Sequence, residues 1–366
     1  MRRVLCRALI AATLLACAPT TAPLPDPLEL LVVVNSAERT LSLVPLRPEG
    51  FAVRLSIPGA RATPQRVATR GGLGLVPLGA ADGVAVYDIG RRMLLRTVSL
   101  APGSRPFDGI LIGDSVAYVS NPPLNTITRI DLRTDDTASV AVGQWPTAMV
   151  SARGRLFVLN ANLAECTESL TGTCVLGESW ITVVDPFANT RSSGRDSIPL
   201  PGPGNARSAA VAGDGFLYVL STGAPTDSTT PDGRLSIIDP IRRVEVGSFG
   251  GFGPEPVWVA SDGGERLFIA SPTEGLLEFN TRTRTVVRGV GQGLPVSQNT
   301  AVLVDRLGFV YAIESGSCTG GTQAGRARIY RPNLTELRGV DLGACAVGGA
   351  VALVPADGED LLPDLP

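Results

Sequence analysis

The sequence predicts an all-β fold, a seven-bladed β-propeller whose ring is closed by strands from the two termini. A unit of four short apolar strands recurs, with first strands starting at Pro64, Pro106, Pro146, Ala206, Pro256 and Gln298. The intervals of 42, 40, 60, 50 and 42 residues match the period of a propeller blade. The ends carry complementary fragments: three strands lacking a first one, and a first strand with nothing after it. Composition agrees. A chain of 366 residues that is 44% hydrophobic, with 42 Gly and 29 Pro, is too apolar for disorder and too rich in turn residues for a helical protein. The period alone leaves six or eight blades open as alternatives.

Taken in order, residues 1–16 read as an export leader, with Arg2, Arg3 and Arg7 ahead of an apolar run from Ala8 to Ala16. Leu14-Leu15-Ala16-Cys17 resembles the lipobox of bacterial lipoproteins, which implies cleavage before Cys17 and acylation of its thiol. Ordinary cleavage after Ala18 competes, since Ala16-Cys17-Ala18 also fits the small-residue pattern, but it leaves Pro19 at the new terminus. Residues 17–27 form a Pro/Thr-rich tether, and no stretch outside the leader approaches the ~18 apolar residues that span a bilayer. The propeller occupies residues 28–355. Residues 28–46 and 51–57 give blade one three strands, 64–100 give blade two, and 105–132 begin blade three. Blade four combines 145–160 with 179–186, and blade five combines 205–221 with 233–249. Blade six starts with 255–280, and blade seven joins 297–315 to 326–332. Residues 347–355 return to complete blade one and remove the exposed sheet edges, and 356–366 are an acidic tail.

The strand endings resemble those of the YVTN-type repeat family of seven-bladed propellers. The match is carried by Val32-Val33-Val34-Asn35-Ser36, Tyr118-Val119-Ser120-Asn121 and Phe157-Val158-Leu159-Asn160, and in a later strand by Ile130-Asp131, Val184-Asp185 and Ile238-Asp239. The resemblance spans almost all of residues 28–355 through short motifs, and it implies a fold more than a function. Asp131, Asp185 and Asp239 recur at one blade position, as expected of turn residues that accept exposed backbone amides.

Three long insertions, 161–178, 222–232 and 316–325, all fall between second and third strands, on the face that also carries the links between blades. Of six cysteines, Cys6 leaves with the leader and Cys17 is the lipidation site. The remaining four, in an exported chain, imply disulfides. Their blade positions favour Cys166–Cys174 and Cys318–Cys345, each within one blade on the insertion face.

The formal charge of −2 becomes about −5 once the three leader arginines are removed, and no basic run remains, which argues against nucleic-acid binding. The chain has no His and no Lys, so all 32 basic residues are Arg. Ser-His-Asp and Cys-His systems, imidazole metal sites and Schiff-base chemistry are therefore excluded. No metal site is expected, and no catalytic residue is assigned. Arg66, Arg105, Asp108, Arg207 and Asn299 stand at or near the starts of first strands, beside the predicted channel mouth, where Arg and carboxylate groups can hold an anionic or sugar ligand. Trp145 and Trp258 read as core or rim packing.

These features favour a cell-envelope lipoprotein, on the outer membrane if the host has two, with a non-catalytic binding or scaffolding propeller. Its expected partners are an envelope protein, a glycan or a small anionic ligand; it touches the membrane only through its anchor and needs no cofactor. The alternative is a lactonase-like hydrolase or lyase that uses channel carboxylates and a divalent cation such as Ca²⁺.

Overall fold

The computed structural model describes residues 27–167, 172–223, 233–319 and 323–355. The leader, the lipidation cysteine, nearly all of the tether and the acidic tail lie outside the described residues, as do parts of all three insertions.

Seven small antiparallel sheets stand around a central channel. Numbered from the channel outward, blade one comprises Ala346–Val354, Leu28–Asn35, Thr40–Arg47 and Val53–Ser56. Blade two is Ala68–Arg70, Leu73–Pro77, Gly83–Asp88 and Met93–Ser99. Blade three is Gly109–Ile112, Val116–Asn121, Thr126–Asp131 and Thr137–Ala141. In blade four, Pro146–Ala152, Arg155–Asn160 and Ser179–Asp185 are followed by a divided outer strand, Thr190–Arg191 and Ser197–Leu200, both on the third strand. Blade five is Ala206–Val211, Leu217–Ser221, Arg234–Asp239 and Val244–Phe249. Blade six is Trp258–Ser261, Arg266–Ser271, Gly275–Asn280 and Thr285–Arg288, and blade seven is Asn299–Val304, Val310–Glu314, Arg326–Tyr330 and Glu336–Asp341. The ring closes as the sequence predicts: Ala346–Val354 pairs antiparallel with Leu28–Asn35, Leu28 opposite Val354 and Val34 opposite Gly348.

The apolar pattern explains the stacking. Leu30 to Val34 are fully buried, odd and even positions alike, because both faces of the second strand pack against neighbouring blades. Outer strands are less buried, and in Ser197–Leu200 burial alternates, with Ile198 and Leu200 inside and Ser197 and Pro199 exposed. Among the described residues, the buried side chains form seven clusters, one in each groove between adjacent blades. Each fully buried Val, Leu, Ile or Phe contributes about 1.5–3 kcal/mol, so stability is spread around the ring.

The Asn that ends several second strands has a defined task. Asn35 Nδ2 donates to Thr40 Oγ1 and Ser42 Oγ, both at 2.9 Å, and its Oδ1 accepts the Gly343 amide at 3.0 Å. Asn160 repeats the pattern with Thr182 Oγ1 and the Gly143 amide. The side chain thus ties a second strand to its third strand and to the link arriving from the preceding blade. The recurring Asp residues sit in third-to-fourth-strand turns: Asp185 Oδ1 accepts the amides of Phe187 and Ala188, and Asp239 Oδ1 those of Ile241 and Arg242.

Both disulfides form, Cys166–Cys174 and Cys318–Cys345. The first staples a small hairpin, Leu163–Glu165 against Thr173–Val175, within the blade-four insertion. The second ties the blade-seven insertion to the residue that precedes the ring-closing strand. Two such bonds fit an extracytoplasmic protein. Among the described residues no helix is long and apolar enough to cross a membrane.

Candidate binding site at the channel mouth

Each first strand runs from the rim that carries the blade links toward the opposite rim. Just ahead of six of these strands the chain bends through a residue with positive φ: Arg105, Trp145, Asn205, Glu255, Gln298 and Cys345, at 41–57°. A non-Gly residue rarely adopts that conformation, so its recurrence marks equivalent positions. Two residues further on come Phe107, Thr147, Arg207, Val257, Thr300 and Val347, and Gln65 holds that place in blade two. All of these except Thr147 line a cavity of about 220 Å³ at the mouth, together with Arg66, Trp258 and Pro272. Thr147 is buried and commits its hydroxyl to the carbonyl of Ala206, 2.6 Å away.

One position deeper stand Arg66, Asp108 and Trp258. Arg66 is buried, and its side chain crosses the channel from blade two to blade five, where Nη2 donates to the Arg207 carbonyl at 2.9 Å. Its guanidinium lies 4.1 Å from the ring centroid of Trp258 and 5.4 Å from that of Phe107. Cation–π contacts of this kind strengthen when desolvated. Gly348 leaves the space: a Cβ there would lie 2.4 Å from the Gln65 carbonyl oxygen and 3.5 Å from Arg66 Cα.

Asp108 is also buried, and its Oδ2 accepts the Met149 amide at 2.9 Å. Burial pushes its carboxyl above the usual range, while the charge of Arg66 and the amides of Met149 and Gly109 pull it back. Burial likewise pushes Arg66 down, against the attraction of Asp108. Arg207 is pushed down to about 10 by burial and by the like charge of Arg66, with Glu255 acting against both. Among the described residues, the Arg207 guanidinium makes neither an ion pair nor a hydrogen bond.

Of the five residues read from the sequence as the binding face, Arg66, Asp108 and Arg207 come together at the mouth. Arg105 lies further out on the rim, where it pairs with Glu165 of the stapled hairpin at 2.7 Å and its amide donates to Asp82. Asn299 is fully buried, and its Nδ2 donates to the Gly275 carbonyl at 3.0 Å. Its selection follows from aligning Gln298 with Pro256; the φ pattern aligns Gln298 with Glu255, one residue earlier, which makes Thr300 the lining residue of blade seven. Trp258 and Phe107 were missed as lining residues. Their signal was positional, because both lie within two residues of a Pro that opens a first strand.

No protein-family model matches the chain, and no characterised relative matches it in sequence. Among solved structures, the chain is similar to hydrazine synthase of Kuenenia stuttgartiensis, at 15% identity and a TM-score of 0.64 over 87% of this chain and 99% of that one. It is also similar to apo AztD of Citrobacter koseri, at 12% identity and a TM-score of 0.55 over 89% and 98% of the two chains. At these identities the likeness shows the propeller fold alone, and the chain is a seven-bladed β-propeller.

Proposed function

We propose that this protein is a non-catalytic binding propeller of the cell envelope, anchored by lipid on Cys17, and that it works through the face around the channel mouth. One observation carries the reading. The disulfide-stapled hairpin of blade four, the disulfide-tied insertion of blade seven and the arginine-lined cavity all occupy a single face. Fixing loops in advance lowers the entropy lost on binding, so staples there serve recognition as well as stability. Asp108, the buried carboxylate next to the lining residue Phe107, already accepts two backbone amides, and this favours binding over channel-carboxylate hydrolysis.

The test is capture of partners from detergent-solubilised envelopes by the lipidated protein. Reversing Arg105 and Arg207 to Glu should abolish capture while the thermal transition stays sharp. Reversal on the opposite rim, Asp262→Arg with Arg306→Glu, should leave capture intact. The opposite outcome places function on the other face.

A further inference from the structure

We propose that the mouth cavity binds a small organic carboxylate, with its anionic end on Arg207 and its apolar body against Phe107, Val257 and Val347. The inference rests on reading this face as a binding face and names the ligand class. Among the described residues, the cavity lining holds two guanidinium groups and no carboxylate. The charge of Asp108 offsets that of Arg66, while the Arg207 guanidinium has no hydrogen-bonding partner among the described residues. Glu255, the acidic group that acts on Arg207, is partly exposed at the rim and forms no ion pair with it among the described residues. One uncompensated guanidinium in a partly desolvated site calls for one negative charge. A carboxylate matches its planar fork with two parallel hydrogen bonds.

Size and wall chemistry narrow the class. A cavity of about 150 Å³ admits benzene, so about 220 Å³ holds one ring or short alkyl body plus a carboxylate. The remaining walls are largely valine, proline and aromatic side chains, which favour an apolar body over a polyhydroxylated one. Arg66 is held between Trp258 and Phe107 and by the Arg207 carbonyl, so the positive floor is in place before any ligand arrives.

The experiment titrates the mature protein with benzoate, phenylacetate and hexanoate, with benzamide as the neutral isostere and inorganic phosphate as the bare anion. Calorimetry and tryptophan fluorescence read the binding, and Trp258→Phe assigns the fluorescence change. At least one carboxylate should saturate a single site, and benzamide should bind at least tenfold more weakly than benzoate. Arg207→Gln should weaken the carboxylates at least tenfold. Because Arg207 makes no internal side-chain hydrogen bond, this variant should keep its melting temperature, whereas Arg66 also braces the channel. Arg282→Gln, in a turn on the opposite rim, should bind as the parent does. Equal binding of benzoate and benzamide, indifference to Arg207→Gln, binding of phosphate alone, or no saturable binding would each overturn the proposal. If no carboxylate binds but the mouth face still captures an envelope partner, the ligand class falls and the binding-face reading stands. If a carboxylate binds and capture survives the mouth reversal, the cavity stands and the partner face moves.

Discussion

Single side chains in this ring act mainly as ties between segments far apart in sequence. Asn35 is joined to Gly343, 308 residues away, through one amide hydrogen bond. Gly343 must be Gly because a Cβ there would lie 2.6 Å from Asn35 Cγ and 2.5 Å from Glu38 Oε2. Gly343→Ala is expected to cost about 1–3 kcal/mol in urea denaturation, the usual range for overpacking. In an Asn35→Gly background both the Cγ and the Cβ, which would lie 2.7 Å from the new methyl, are gone, so the same substitution should cost less; strictly additive losses would rule out the contact as the cause. Asp185 tests the turn role through pH. Its carboxyl lies below the usual value of 3.8, held there first by the Ala188 amide and further by Phe187 and Arg155, against the opposing effect of burial. A carboxyl whose folded pKa is depressed contributes stability that is present above the unfolded value and lost as pH falls through the folded one. D185A should therefore be about 1 kcal/mol less stable than the parent at pH 6, and the gap should close below pH 3.8. A gap that persists undiminished at low pH would mean the loss comes from something other than the ionised carboxylate.

At the scale of elements, the closing strand Ala346–Val354 carries more than its share. It supplies the channel-lining strand of blade one, pairs with Leu28–Asn35, and follows directly on the disulfide to Cys318. Arg47 on the third strand of blade one pairs with Glu29 of the same blade and with buried Asp305 of blade seven, which also accepts the Tyr311 hydroxyl. Strand pairing, a disulfide and an ion-pair network therefore meet at one seam. Deleting residues 356–366 should leave the melting temperature within a few degrees of the parent. Deleting 347–366 exposes Leu28–Asn35 as an unpaired apolar edge and should give aggregated protein. Equal thermal stability of the two truncations would mean that closure contributes little.

At the scale of the whole molecule, the direction of the first strands separates the two rims. Val347 is at the mouth, and the strand runs from there to Val354, opposite Leu28. The propeller therefore receives its N-terminal segment on the rim away from the cavity. A lipid on Cys17 would hold the molecule by that rim and leave the mouth facing outward. Cys17→Ser is expected to move the protein from the membrane fraction to the soluble fraction with its melting temperature unchanged. Mass spectrometry should find an acylated N-terminal Cys17 in the parent; an unmodified chain starting at Pro19 would refute the anchor.

What the sequence by itself determined was whatever depends on neighbours in the chain. Strand positions, turn residues, the blade period, ring closure from complementary ends and the two disulfide pairs all follow from short-range patterns repeated seven times, so each copy corrects the reading of the others. The recurring Asp and Asn were legible for the same reason. Only the tertiary structure decided which side chains share the channel. Arg66 and Arg207 are 141 residues apart and meet because blades two and five face each other across the axis. That relation depends on the direction a long side chain takes across the channel, which leaves no local trace. The one-residue offset that brought Asn299 forward in place of Thr300 arises because blade seven lacks the Pro that marks the start of the first strand in blades two, three, four and six, and its backbone φ reveals the register.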